Sequence, residues 1–279
     1  MAYAYRVEGR KRIKLNSFDP GETAGLNRKS AEAKTGKYIR ELIELQELLY
    51  AAGSQSLLII LQGRDTSGKD GTIRHVLGPL NSQSCSVSSF KVPTEEELAH
   101  DFLWRVHAET PRTGQIKVFN RSHYEDVLVV RVQNLVPERL WEARYEHINA
   151  FERLLTDAST IILKFYLHIS KEEQERRLLA REEDSTKAWK LSVEDWKRRE
   201  YWDKYSAAYE DVLNRCGTRQ SPWFIVAADK KWFRNLAVAE AIRDALAPFK
   251  KGWLKTLEAM GVERTRLLDE YRHSGDEVR

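Results

Sequence analysis

The sequence predicts an α/β protein, a five-stranded parallel sheet flanked by helices with a helical lid, and three observations carry that prediction. Short, continuously apolar segments alternate with longer segments of helical periodicity. The first apolar segment, "SLLIILQ", runs directly into a loop bracketed by Gly63 and Gly68. A charge-dense segment, 171–204, interrupts the alternation between the fourth and fifth apolar segments.

Residues 1–29 are polar, and "FDPGETAGLN" has turn chemistry, so this part reads as an arm lying over the body. Leu42, Ile43, Leu45, Leu48 and Leu49 recur at helical spacing within 30–52, and Gly53 marks the stop. "SLLIILQ" is apolar without alternation, as expected of a strand buried on both faces. Asp70 to Leu77 read as a helix closed by Gly78-Pro79. "CSVSSFKV" is the second strand. Thr94 with Glu97 makes a capping box that opens a helix through "EEELAHDFLWRVHAE". "IKVFNRS" is the third strand, and the helical region 124–157 follows, with a break at Pro137. "TIILKFYLHI" is the fourth strand, the charged helical stretch 171–215 follows, and "PWFIVAAD" is the fifth. A packed helix over 231–247 closes a single domain, 30–249. Residues 250–279 form an amphipathic helical tail that packs on the body or on a neighbouring chain.

With 279 residues, 42% of them hydrophobic, the chain can bury a substantial core. Its 46 basic and 42 acidic residues give a net charge of only +4, too little to imply nucleic-acid binding. Cys85 and Cys216 match no metal or redox spacing and read as reduced thiols. The N-terminal segment lacks the apolar core of a signal peptide, and no apolar stretch approaches the roughly 20 residues that span a bilayer. A soluble cytoplasmic protein with no membrane partner is expected.

Gly63-Arg64-Asp65-Thr66-Ser67-Gly68-Lys69 fits G-x-x-x-x-G-K, between a strand and a helix. Glycines let such a loop aim its amide N–H groups at phosphate oxygens, and the helix start and Lys69 add positive charge. Gly63, Arg64, Thr66, Ser67, Gly68, Lys69, Asp70, Gly71 and Thr72 are therefore the candidate phosphate-binding residues. The usual metal-ligating hydroxyl position is Asp70, with Thr72 two further on. Asp70 reads as a helix cap, an acid favoured at a helix start. Asp65 has no such role, and its charge among phosphates calls for a divalent cation against it.

The end of a neighbouring strand supplies the second acid in this type of site. "FNRSHYED" occupies that place: Asn120 and Glu125 can ligate metal, and Arg121 can neutralise phosphate charge. His123 raises a phosphohistidine intermediate as an alternative. Residues 171–204 carry ten basic and ten acidic side chains, which suits a solvated, salt-bridged helix pair. Arg177 and Arg181, four apart, share a helix face, and Lys187 and Lys190 follow. The segment's position is that of a lid that closes over a transferring phosphoryl group and excludes water.

Several motifs together, "GRDTSGKDG", "SFKVPTEEELAHDFLWRVH", "FNRSHYEDVLVVRV", "EEQERRLLAREED", "KAWKLSVEDW" and "PWFIVAADKKWFRN", resemble the family-2 polyphosphate kinases from about Lys37 to Phe249. The resemblance implies a P-loop kinase fold with a helical lid. It also implies direct transfer of a phosphoryl group between inorganic polyphosphate and adenine nucleotides, with Mg²⁺ or Mn²⁺ and no phosphoenzyme. Carried over by motif, Asp65 engages metal and phosphate, Lys69 binds phosphate, and Arg121 and Arg177 lie near the transferring group. Asn120 and Glu125 exchange the residue types found in other branches, and with "SHYEDVLV" this resembles the class III branch, which accepts AMP and ADP. "NSQS" at 81–84 departs from the Asn-Pro-x-Gly usual there. Lys91, Arg105, Lys187 and Lys190 are candidates, on charge and placement, for a basic channel that admits polyphosphate. A homo-oligomer, dimer or tetramer, is implied by the family. An ATP-dependent nucleoside-monophosphate kinase shares the loop and lid, and a non-catalytic nucleotide-binding regulator is the third reading.

Overall fold

The computed structural model describes residues 2–9 and 11–274. Its centre is strand β2, Ser56–Gln62, in which every residue is buried. Before it, helix α1, Arg28–Ala52, begins where the Asn27 side chain accepts the Ser30 amide, and ends at Gly53 in a left-handed conformation. β2 pairs in parallel with β4 (Ile116–Asn120) on one side and β5 (Thr160–His168) on the other. β3 (Cys85–Ser89) extends the sheet beyond β4, and β6 (Trp223–Ala227) extends it beyond β5.

The arm departs from expectation. Tyr5–Val7 forms β1, antiparallel to β6, so the sheet has six strands in the order β1-β6-β5-β2-β4-β3. Three residues are too few to display an alternating pattern, so this strand was invisible in the sequence. The arm continues along the body, where the Ile13 and Leu15 amides donate to the side chains of Asn214 and Glu210. Both cysteines are free, as expected.

Other helices are more broken than the periodicity suggests. After the glycine loop, α2 (Lys69–Thr72) passes directly into a π turn, Ile73–Leu77. The Thr94–Glu97 capping box forms, but its helix stops at α3 (Glu95–Ala99), and α4 (Trp104–His107) starts afresh after Asp101 turns the chain. Beyond β4 come a 3₁₀ turn at His123–Val127, α5 (Val129–Val132), and α6 (Glu138–Asp157), which starts at Pro137. The segment after β5 comprises α7 (Lys171–Glu182), a 3₁₀ turn at Ser185–Lys190, α8 (Val193–Glu200) and α9 (Trp202–Cys216). α10 is Lys231–Leu246, and α11 is Lys250–Ser274. Among the described residues, no helix is long and apolar enough to cross a membrane.

Successive residues of β2 face opposite sides. Leu58 and Ile60 join Phe119, Tyr166 and Trp223 in one core, with α6 and α9 packed over it. Leu57, Ile59 and Leu61 join Phe165 and Val226 in the other, which α1 and α10 cover. The first core contains an ionic centre. Lys164 and Glu152, both almost fully buried, form an ion pair, and Lys164 also donates to the Tyr124 hydroxyl and the Cys216 carbonyl. Tyr124 in turn donates to Glu152. A buried pair of this kind holds only when its remaining donors and acceptors are met, and here they are. Through Tyr124 it anchors the turn that follows β4 to β5 and α6.

Candidate functional site

The loops that leave β2, β4 and β5 open at the carboxyl edge of the sheet, where open parallel sheets bind ligands. The loop 63–68 is held by its carbonyl oxygens. Lys69 Nζ donates to the Gly63 and Arg64 carbonyls, at 2.7 and 3.2 Å. Gln174 donates to the Asp65 carbonyl, Arg177 to those of Thr66 and Ser67, and the amide of Thr72 to that of Gly68. Across a planar trans peptide the next N–H points opposite to the carbonyl. With these carbonyls engaged, the opposed amide N–H groups of the loop are left to an anion, apart from that of Ser67, which closes the turn on Arg64. The hydroxyls of Thr66 and Ser67 are buried in the same loop without a partner. This is an anion-binding geometry. Gly68, at φ +103°, is where the turn needs glycine.

Lys69 is 8% exposed. Burial first, and then the positive charge of Arg121, push its ammonium down to about 8. Bound phosphate would reverse that shift.

Asp65 and the β4 turn meet as a charge cluster. Arg121 lies between two carboxylates, donating to Asp65 at 2.5 Å and to Glu125 at 3.3 Å. Arg198 on α8 donates to the second oxygen of Asp65 at 3.2 Å. Burial would raise the Asp65 carboxyl, but Arg121, Lys69 and Arg198 outweigh it and hold it below the ordinary carboxylate range. Thr66 and Arg121 both adopt left-handed backbone, uncommon outside glycine, with φ values of 64° and 62°. In Arg121 that conformation places the guanidinium across from the loop. The cation between Asp65 and Glu125 in this structure is thus Arg121.

The remaining candidates divide. Asp70 caps nothing: the helix start carries no side-chain cap, and Asp70 in its first turn accepts from Asn120 Nδ2 at 3.0 Å and Lys190 at 3.1 Å. Asn120 therefore faces Asp70, not the Asp65–Glu125 pair, although its oxygen is not used in that bond. The Thr72 hydroxyl donates back to the Gly68 carbonyl at 3.1 Å, as a helical threonine readily does. Thr72 is fully buried and does not face the loop interior. Gly63 is buried at the loop entry, and Gly71 lies in the first turn of α2.

Arg177 is not open to a ligand. All five of its N–H donors are occupied, by Glu173 and by the carbonyls of Thr66, Ser67, Ala228 and Asp229. It clamps the loop from behind. Arg181 pairs with Asp195 at 3.0 Å, and Arg105 is bound to Glu97 and the Lys91 carbonyl, so neither presents a free guanidinium. Lys91 is exposed beyond β3. Lys187 lies in the Ser185–Lys190 turn, and its side chain is outside the described residues. Arg64 does not face phosphate: its guanidinium stacks on Trp202 at 3.6 Å and donates to the Trp202 carbonyl and Ser206, fastening the loop to α9. His123 is fully buried beside Glu152, which removes it as a phosphoryl acceptor.

Two contributors were not singled out in the sequence. Arg198 is one of ten basic residues in a balanced charged segment, and nothing in its spacing distinguishes it. Gln174, which reaches back to the loop from α7, carries no pattern at all. Arg198 Nε and the Tyr205 hydroxyl, both buried without partners, flank the cleft between Asp65 and α9.

Among the described residues no three His, Cys, Asp or Glu side chains form a metal-binding group. Asp65 and Glu125 alone suit a Mg²⁺-like ion, which takes one or two protein carboxylates and completes its shell with phosphate and water.

Comparison with known proteins agrees with this geometry. The family model for polyphosphate kinase 2 matches residues 25–252. An AMP/ADP-polyphosphate phosphotransferase of Meiothermus ruber is 48% identical over 244 residues, covering 87% of this chain and 91% of that protein. An ADP-polyphosphate phosphotransferase of Rhodopseudomonas palustris is 43% identical, over 79% of this chain and 81% of that one. The crystal structure of polyphosphate kinase 2 from Arthrobacter aurescens TC1 superposes with a TM-score of 0.82 at 39% identity, over 89% of this chain and 93% of that chain. A phosphate loop, an arginine–carboxylate cluster at the end of the neighbouring strand and a helical segment reaching over both now have a common source: this chain is a phosphotransferase that belongs to the polyphosphate kinase 2 family.

Proposed function

We propose that the chain transfers a phosphoryl group between inorganic polyphosphate and AMP or ADP, directly and in line. The observation that carries this is the loop 63–68, whose carbonyls are engaged by side chains while Lys69, Arg121 and Arg198 converge on it. Such a site stabilises charge on a transferring phosphoryl group without a protein nucleophile. A buried His123 fits direct transfer. Lys69 binds phosphate, and Arg121 exchanges carboxylate contacts for phosphate oxygens. Arg177 acts as a positioning residue. Mg²⁺, replaceable by Mn²⁺, would be held by Asp65 and Glu125 and would neutralise phosphate charge. The segment 171–204 serves as the lid, with Arg64 on Trp202 linking it to the loop. Lys91, Lys187 and Lys190 are the remaining candidates for a basic approach to the site. Acceptance of both AMP and ADP, cytoplasmic localisation and a homo-oligomer with α11 at its interface complete the reading.

The test is ATP formation from AMP or ADP with polyphosphate as sole donor. Transfer seen only with ATP as donor would make this a nucleoside-monophosphate kinase, and nucleotide binding without any transfer would make it a regulator.

A pH dependence follows from Lys69. The bound phosphate favours the ammonium, so the complex holds its proton to higher pH than the free enzyme, and affinity falls as pH rises past about 8. kcat/KM for polyphosphate is expected to drop by up to about tenfold per pH unit on that alkaline limb. A profile flat to pH ~9.5, measured at constant ionic strength, would contradict the assigned role of Lys69.

A further inference from the structure

Arg234, in the first turn of α10, is 2% exposed. Its Nε and one terminal nitrogen donate to Asn235 Oδ1, at 3.2 and 2.8 Å, and the other reaches the Ser67 carbonyl at 3.4 Å. None of these partners is charged. The charge that acts on it most is another cation: burial first, then Arg177, bring its guanidinium down to about 9. A buried cation without a carboxylate is costly, and folded proteins rarely keep one without a counter-charge.

Its location supplies the reason. A Cβ built on Gly68 would lie 1.7 Å from one terminal nitrogen of Arg234, and one on Gly71 would lie 3.1 Å from the other. The edge of the guanidinium therefore lies against the backbone from Ser67 to Gly71, in the space that a side chain at Gly68 would fill. A second observation points the same way. Lys231, three residues earlier on α10, is also held below the usual lysine range, by burial and then by Arg177, Arg234 and Arg176. One lysine and three arginines thus crowd this flank of the loop, where Glu173 pairs with Arg176 and Arg177 but not with Arg234, while the Thr66 and Ser67 hydroxyls stand unpartnered within the loop.

We propose that Arg234 is a positioning residue for polyphosphate, a buried counter-charge to the bound polyanion that acts through the Ser67–Gly71 backbone. The inference rests on the loop being the phosphate site. Arg234 does not touch the ligand. Its field favours the anion across one layer of backbone, and its contact with the Ser67 carbonyl helps leave the loop amides to the anion. The free protein bears the unfavourable burial, and the complex relieves it.

The experiment compares wild type with Arg234→Met and Arg234→Lys, using thermal melting with and without inorganic polyphosphate, and steady-state kinetics. Arg234→Met is expected to melt at or above wild type when free, because an apolar side chain replaces an unpaired charge. Its polyphosphate-induced rise in Tm should be less than half that of wild type, and its KM for polyphosphate about tenfold higher, with kcat changed by less than about threefold. Arg234→Lys, which keeps the charge, should recover most of the rise. A Met variant that melts well below wild type yet keeps the full polyphosphate-induced rise would reduce Arg234 to a structural residue and overturn the proposal. So would a Lys variant as defective as the Met variant. Should Arg234→Met not fold, Arg234→Gln replaces it with the same expected loss of the rise and the same overturning result. If wild type itself shows no rise with polyphosphate, the phosphate-site reading fails, and the inference with it; an equal rise in wild type and in the Met variant defeats the inference alone.

Discussion

Asp65→Asn is expected to lower kcat by about 10²- to 10³-fold while the protein still folds. The carboxylate is the shared acceptor of Arg121 and Arg198, with one oxygen given to each. Asparagine preserves shape but offers an oxygen to one arginine and an NH₂ to the other, so one guanidinium faces a donor. It also removes the negative charge that fits the site for a divalent cation. Arg121 retains Glu125, which is why the fold is expected to survive. The deficit should persist at high Mg²⁺ concentration. Activity within threefold of wild type, measured with polyphosphate and ADP at saturation, would defeat the role given to Asp65. The charge is present at any assay pH, since its carboxyl is held below the usual range. The stability gained from the depressed group is present above the unfolded-state value near 4 and is lost as pH falls through the folded value. Wild type should therefore lose more stability than Asp65→Asn as pH falls below about 4, by differential scanning calorimetry.

Lys69→Met is expected to be at least as damaging, with kcat/KM reduced about 10³-fold, and it separates function from stability more sharply. The ammonium is enclosed, and its proton is held with difficulty, at about 8 instead of 10.5. That displacement corresponds to an unfavourable contribution on the order of 3 kcal/mol in the free protein. Methionine removes the charge and fills similar space, so the free variant should melt no lower than wild type. The Gly63 and Arg64 carbonyls lose their donor, which offsets part of the gain. A variant that is as stable as wild type and inactive shows that the lysine serves the ligand. A variant that keeps a tenth or more of wild-type kcat/KM would refute the assignment.

Much of this site was legible in the sequence because its chemistry is local. A glycine loop after an apolar strand needs no partner from elsewhere to be recognised, and Asp65, Lys69 and Arg121 were all marked by motif. Tertiary pairing was not legible. The sequence set Asp65 apart from Asp70 but named the partners of neither: Asp65 meets arginines from the end of β4 and from α8, while Asp70 meets Asn120 and Lys190. Arg177 matched a motif by position, but only the fold shows its donors all taken, by Glu173 and by backbone carbonyls. Likewise, Lys164 stands in an apolar run that read as plain strand, and its partner Glu152 comes from α6. Four of the parallel strands were found because they are buried and apolar, and β3, partly exposed and serine-rich, by its place in the alternation, whereas β1 was missed because three residues are too few to show a pattern.

That short strand has a consequence of its own. A parallel sheet ends in a row of unpaired amides and carbonyls, and such a row templates the addition of foreign chains. On the β6 side the molecule closes that row with its own Tyr5–Val7, laid down in the opposite direction. The arm thereby guards that edge against strand-by-strand self-association, and freeing it would expose the edge while leaving the phosphate loop, on the far side of β5, chemically intact.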